Sequence, residues 1–208
     1  MKLVDMKVSE YLDVLLSDEP APGGGSVSAL AGTQGAALMA MVCDLTTAKQ
    51  KYADDHALCA ELKEEAVVLY KEMAATIDED TDAYNLVAAA FKMPKETDEE
   101  KEARRKAIDE GTMEATKVPF GVMQKAMKGL EIADRLQGHF NTNCASDYEV
   151  GVLNFLTCLK GAWMNVKINL PGVKDEEFAA KCIAEGEVMI VKGEEIAGRL
   201  YREIEKSL

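Results

Sequence analysis

The chain is 208 residues long and carries 37 Asp plus Glu against 24 Lys plus Arg, a formal net charge of −13. No run of five or more Lys or Arg occurs, so the basic face that a phosphate backbone demands is missing and a general nucleic-acid binder is excluded. With 48% hydrophobic residues, the chain can bury a core and is not disordered.

Residues 1–5 lack a charged segment leading into an apolar core and a cleavage site, so no signal peptide is expected. Residues 20–43 are uncharged for longer than the ~20 residues that span a bilayer. This stretch is built from Ala, Gly and Ser, with Thr33 and Gln34 at its middle, and reads as a buried helix rather than a membrane span. Its Gly32, Gly35, Ala36 and Ala40 let a second backbone approach closely.

After a polar break holding Lys49 and Lys51, residues 54–91 give the clearest helix. Leu58, Leu62, Ala66, Leu69, Met73 and Ile77 recur at steps of three and four, one stripe on a rod roughly 57 Å long. Continued, the stripe meets Asp80, Tyr84, Val87 and Phe91, so an acid falls on the buried seam. Pro94 ends this helix, and Thr97 with Glu100 forms a capping box for the next. Pro119 predicts a kink or restart near Lys117, and Gly138 closes the segment.

Ser146 with Glu149 reads as a second capping box, opening a helix that Pro171 and Gly172 stop. Its apolar face is Val152, Phe155, Leu159, Trp163 and Val166. A second, small and polar stripe runs through Asp147, Gly151, Asn154, Cys158, Gly161, Asn165 and Asn169. Such a stripe suits close packing, a subunit contact or a polar cleft. Asp175 caps the last helix, which runs to about Lys206. Nothing reads as a strand, so the expected fold is an all-α, single-domain bundle of long antiparallel helices over residues 1–208.

Several chemistries are unsupported. Gly23, Gly24, Gly25 and Ser26 are followed by no Gly-Lys-Ser/Thr and preceded by no strand, which argues against a P-loop or a dinucleotide fold. A helical di-iron site needs Glu-x-x-His, whereas Ala53 precedes His56 and Leu136 precedes His139. Neither histidine stands near a promising Ser or Cys, so a nucleophile triad is unsupported. Cys43, Cys59, Cys144, Cys158 and Cys182 form no Cys-x-x-Cys pair; buried reduced thiols and a cytoplasmic protein are expected. Met41, Met73 and Met164 read as core filler.

What remains is carboxylates and amides. Burial would raise the pKa of Asp80 and equip it for proton transfer, unless a lysine across the bundle pairs with it. Asp147 opens a helix, where the dipole favours its ionised form, although plain capping with Ser146 explains it as well. The glycines before Ser26 offer free N–H groups at a helix start, either as an anion seat or as a tight turn.

The run Pro20-Ala21-Pro22-Gly23-Gly24-Gly25-Ser26, followed by Leu45-Thr46 with Lys49, Lys51 and Tyr52, resembles the cyclodeaminase/cyclohydrolase family of one-carbon folate enzymes. Asp80 with Ala83 and Tyr84, Val118-Pro119, the segment Asn141, Asn143, Ala145-Ser146-Asp147, and Asn165-Val166 with Ile168-Asn169-Leu170 continue the likeness along nearly the whole chain. Asp44, Ala48 and Phe140 depart from it.

The resemblance implies an all-α homodimer or larger assembly. It also implies action on formiminotetrahydrofolate or methenyltetrahydrofolate with no metal or cofactor. The cyclodeaminase reaction, releasing ammonia, is the first expectation, the cyclohydrolase reaction the second and a non-catalytic helical interaction module the third. By the same resemblance Asp80 is a general acid/base and Asp147 a second catalytic carboxylate. Tyr84, Asn143, Ser146 and Asn169 are substrate contacts, and Lys49 with Gly23, Gly24, Gly25 and Ser26 faces a polyglutamylated tail.

Overall fold

A computed structural model describes residues 1–206. Six α-helices carry the fold: α1 (Val8–Leu16), α2 (Gly24–Thr47), α3 (His56–Phe91), α4 (Asp98–Leu136), α5 (Ala145–Asn169) and α6 (Glu176–Glu205). Short 3-10 turns lie at Leu3–Asp5, Gln50–Asp55, Thr142–Cys144 and Leu170–Gly172, and no strand occurs among the described residues.

The α3 stripe packs as its spacing demands. Leu62, Ala66, Leu69, Met73 and Ile77 are buried, but Tyr84 is 41% and Phe91 57% exposed. The seam therefore surfaces just past Asp80, where Ala83 and Ala90 turn inward instead. Small residues on facing helices set how closely the bundle closes. A Cβ on Gly32 would sit 2.7 Å from the Cys158 sulfur, and one on Gly35 would sit 3.0 Å from the Gly151 carbonyl. The backbones of α2 and α5 touch there, and no larger residue fits. All five cysteines are free and buried. Of the three methionines read as filler, Met73 is buried while Met41 and Met164 are 37% and 53% exposed.

Thr97 accepts from the Glu100 amide and the reciprocal bond is made, so the capping box at α4 forms as expected. Asp175 likewise accepts from the Phe178 amide at 2.9 Å. Two expectations need correction. Cys144 caps α5 without a side-chain bond, and Glu149 points into the core instead of back at the helix start. Helix α4 also runs without a break through Pro119.

A side chain of α5 accounts for that continuity. Proline removes the N–H that the Ala115 carbonyl would accept, four residues earlier. Asn169 supplies a replacement, its Nδ2 donating to that carbonyl at 2.7 Å. The end of α5 thereby splints α4 at its weakest point.

Candidate functional site

At the N-terminal end of α2 the chain enters extended at Gly23 and turns helical at Gly24, leaving the first-turn N–H groups without helical partners. The Asp80 carboxylate from α3 takes that place. A Cβ on Gly25 would lie 2.0 Å from Asp80 Oδ1, so only glycine admits the carboxyl here. Ser26 is fully buried beneath it, with Oγ 3.3 Å from Asp80 Oδ2, 3.2 Å from Thr81 Oγ1 and 2.8 Å from the Ile77 carbonyl. One hydroxyl proton cannot serve every acceptor, and the Ile77 carbonyl is the nearest.

Burial pushes the Asp80 carboxyl above its ordinary value, while the hydroxyl and amide of Ser26 pull back. Desolvation wins because no cation stands nearby. Tyr11 of α1 is 7% exposed with its hydroxyl unpartnered; burial raises its pKa, and the charge of Asp80 adds to the rise.

Asp80 opens into a cleft of ≈ 370 Å³. Pro20, Ala21, Gly23 and Gly24 form one wall, Tyr84 and Val87 a second, and Ala115, Asn165, Ile168 and Asn169 a third. Asn165 Nδ2 donates to the Gly161 carbonyl at 2.9 Å, and a Cβ on Gly24 would be 3.6 Å from it. Asp80 is the one acid in the lining, and no Lys or Arg joins it.

Of the sequence-predicted residues, the structure thus brings together Gly23, Gly24, Gly25, Ser26, Asp80, Tyr84 and Asn169. Two roles change. Ser26 is too deep to meet a substrate and instead holds Asp80, and the seat offered by Gly25 is filled by the chain's own carboxylate rather than by an external anion.

Asp147, Asn143, Ser146 and Lys49 are elsewhere in the chain. At ~1.5 Å per residue, Asp147 is roughly 27 Å from Asn165 along α5. Around it the α2–α3 connection meets the start of α5. The Thr142 amide donates to the Tyr52 hydroxyl at 3.1 Å, the Asn141 amide to Thr46 Oγ1 at 2.9 Å, and the Lys51 ammonium lies 5.2 Å from the Tyr52 ring centre. Phe140 stacks on Tyr148 at 4.6 Å behind them. Asn143 and Ser146 are exposed and Asp147 is half-buried.

Sequence reasoning missed three features. Asn165 stood in a polar stripe and in a motif of the family likeness but was given no role at the site. Tyr11 carried no signal, since an isolated aromatic in a short helix is normally core. Glu149 is 7% exposed with both carboxylate oxygens unpartnered, and burial pushes it up to about 7.

A helical bundle that opens a desolvated carboxyl into a cleft bearing two amides and a phenol has the working parts of an acid/base enzyme. Residues 7–187 match the family described as Formiminotransferase-cyclodeaminase. The methenyltetrahydrofolate cyclohydrolase of Methylorubrum extorquens is 33% identical over 201 residues, 97% of each chain. The formimidoyltransferase-cyclodeaminase of Gallus gallus is 32% identical over 85% of this chain, which spans 32% of that protein's length. A crystal structure of formiminotetrahydrofolate cyclodeaminase from Thermotoga maritima shares the fold, with a TM-score of 0.88 over 99% of this chain and 98% of that one, at 23% identity. The chain belongs to the formiminotransferase-cyclodeaminase family.

Proposed function

We propose that the chain is a one-carbon folate enzyme that moves protons at the carbon bridging two folate nitrogens, with methenyltetrahydrofolate hydrolysis as its reaction. The observation that carries this is the Asp80 carboxyl, desolvated on the first turn of α2 and open to a cleft without a cation. A cationic methenyl group gains from such a lining. The ionised carboxyl takes a proton from water as its oxygen bonds to the methenyl carbon. It then returns that proton to the ring nitrogen as the C–N bond breaks, and the remaining hydroxyl proton leaves to solvent as the formyl C=O forms. Tyr84, Asn165 and Asn169 are placed to orient the substrate.

Hydrolysis is preferred to ammonia release, reversing the first sequence expectation, because the relative named for it matches over 97% of both chains. Deamination stands as the second reading. A carboxyl with a raised pKa keeps the proton that departing ammonia needs, and both reactions pass through similar tetrahedral centres. Supplying formiminotetrahydrofolate and methenyltetrahydrofolate separately tests the choice. Faster loss of the methenyl chromophore without ammonia from the first substrate supports hydrolysis; ammonia release selects deamination, and inertness toward both refutes the folate reading.

The working form is proposed to be a homodimer. Helices α2 and α5 lie side by side and expose Val27, Met41 and Leu45 on one, and Val150, Leu153, Met164 and Ile168 on the other. No charge occurs between residues 20 and 43, so two copies of a −13 chain meet there with the least repulsion. Val27 and Leu45 stand nine residues either side of the midpoint of α2, near residue 36, and Val150 and Met164 seven either side of that of α5, near residue 157. A two-fold axis through those midpoints pairs each helix end with the opposite end of its mate. The Asp147 and Lys49 end of one copy then approaches the Asp80 cleft of the other.

A further inference from the structure

The Ser26 and Asp80 pair has a second side, away from the cleft. The cleft takes Gly24 and Gly25 from α2 and Asp80 and Tyr84 from α3, whereas a separate cavity of ≈ 340 Å³ takes Leu30 and Thr33 from α2 and Ala74 and Ile77 from α3. Leu30 stands one turn past Ser26 and Ile77 one turn before Asp80, a step of roughly 5 Å along each helix. Helix α1 covers this cavity. The Leu3 amide fastens the segment before it to α3, donating to Asp78 Oδ1 at 2.6 Å. Tyr11 is the buried residue of α1, while Val8, Leu12 and Leu16 are exposed.

Tyr11 carries a polar atom into a place that gives it no bonding partner. Its hydroxyl is buried and unpartnered, and the nearby Thr33 hydroxyl is committed to the Ala29 carbonyl at 2.8 Å. A phenylalanine would spare the chain that desolvated group. What does reach the hydroxyl is the charge of Asp80. Asp80 is in turn short of donors, since the Ser26 proton lies 2.8 Å from the Ile77 carbonyl and 3.3 Å from Asp80 Oδ2. An uncommitted O–H and an under-served carboxylate are complementary. Around Asp80, α2 carries no charge between residues 20 and 43, and α4 and α5 bring Ala115, Asn165 and Asn169. Tyr84 at the cleft and Tyr11 behind it are the titratable side chains that face the carboxyl.

We propose that Tyr11 is a positioning residue for Asp80: its free O–H turns toward the carboxyl when that group ionises, steadying the anion from behind while the cleft side stays open to substrate. The inference deepens the folate reading and rests on it for its catalytic meaning. In a wall without water the hydroxyl dipole acts more strongly than it would in solvent. Burial first and the Asp80 charge second keep the phenol protonated, so it orients charge and transfers nothing.

The test titrates Asp80 directly, by NMR of the carboxyl carbon in labelled full-length protein, with Asp80→Asn for assignment. Wild type is compared with Tyr11→Phe and with Tyr70→Phe, which deletes the same atom from a ring that lines the same cavity but is 43% exposed. Tyr11→Phe should raise the Asp80 pKa by about half a unit or more, and Tyr70→Phe should leave it in place. The acid limb of methenyltetrahydrofolate hydrolysis should move up with it, making kcat on that limb about threefold lower with KM unchanged. At acid pH, where Asp80 is protonated, Tyr11→Phe should melt no lower than wild type. An Asp80 titration that stays or falls in Tyr11→Phe, or that moves equally in Tyr70→Phe, overturns the positioning role and leaves the folate reading standing. Wild type inert toward both methenyl- and formiminotetrahydrofolate refutes that reading, while the NMR titration still decides whether Tyr11 acts on Asp80.

Discussion

The two ends of α5 carry similar residue types and treat them differently. At the C-terminal end, Asn165 and Asn169 face a carboxyl withdrawn from solvent, and burial raises the pKa of Asp80. At the N-terminal end, Asp147 is half-buried in the first turn of the helix among exposed Asn143 and Ser146. The Tyr52 phenol nearby is held below its ordinary value by hydrogen bonds with the hydroxyl and then the amide of Thr142. What separates the ends is access to water. The Gly25 hole and the Ser26 floor strip solvent from one acid, whereas the other is only half covered within its own chain.

Replacing Asp80 by Asn should have the largest effect, cutting turnover by ~100-fold or more if the carboxyl moves the proton. Its thermal stability at neutral pH should hold or rise. A carboxyl whose folded pKa is raised stabilises below its unfolded value and loses that contribution as pH climbs through the folded one. In wild type the acid limb of the rate profile should accordingly lie above the ordinary Asp range; a limb at or below it removes Asp80 from the chemistry.

Gly25→Ala follows. The added Cβ displaces the carboxylate, and a shift of an ångström at a reacting group can cost up to ~100-fold. Unchanged kinetics with a folded protein would mean that the carboxyl position does not matter.

Asp147→Asn asks whether the two ends meet across a dimer. About a tenfold loss is expected from the pure variant. Mixing it, after dissociation and reassociation, with the Asp80→Asn variant should restore activity, because one site in each mixed pair then has both acids intact. No recovery in verified mixed dimers would confine each end to its own chain.

Glu149→Gln should give the smallest change, read as melting temperature. The ordinary Glu value is 4.5 and the buried one about 7, so wild type loses stability between those pH values as the unpartnered carboxyl is forced to ionise. Variant and wild type should melt together near pH 4, with the variant several degrees higher above pH 8. A constant difference at every pH would point to packing instead of charge.

Much of this architecture was readable from spacing. Helical periodicity placed α3 to α6 within a few residues, and the small residues of α2 announced a close helix contact whose partner, α5, only the structure names. The family likeness rested on short motifs in order, which survive as turns, caps and close approaches. The residues misread were those whose meaning depends on a distant partner. Pro119 was expected to kink or restart α4, yet the helix is continuous and an asparagine fifty residues later supplies the missing donor. Glu149 matched a capping pattern and went to the core because the turn of the helix put it there. Motifs that looked like one site in the linear chain divide between the ends of rods, since helix length converts residue separation into ångströms.

By itself the sequence determined the helices, their small-residue seams and the acid on the α3 stripe, because local periodicity and side-chain volume are properties of neighbours in the chain. Tertiary structure alone decided that Asp80 sits on the first turn of α2 and that Ser26 supports it from below. Solvent exclusion and charge proximity are set by which helices meet, and that is written in no single segment.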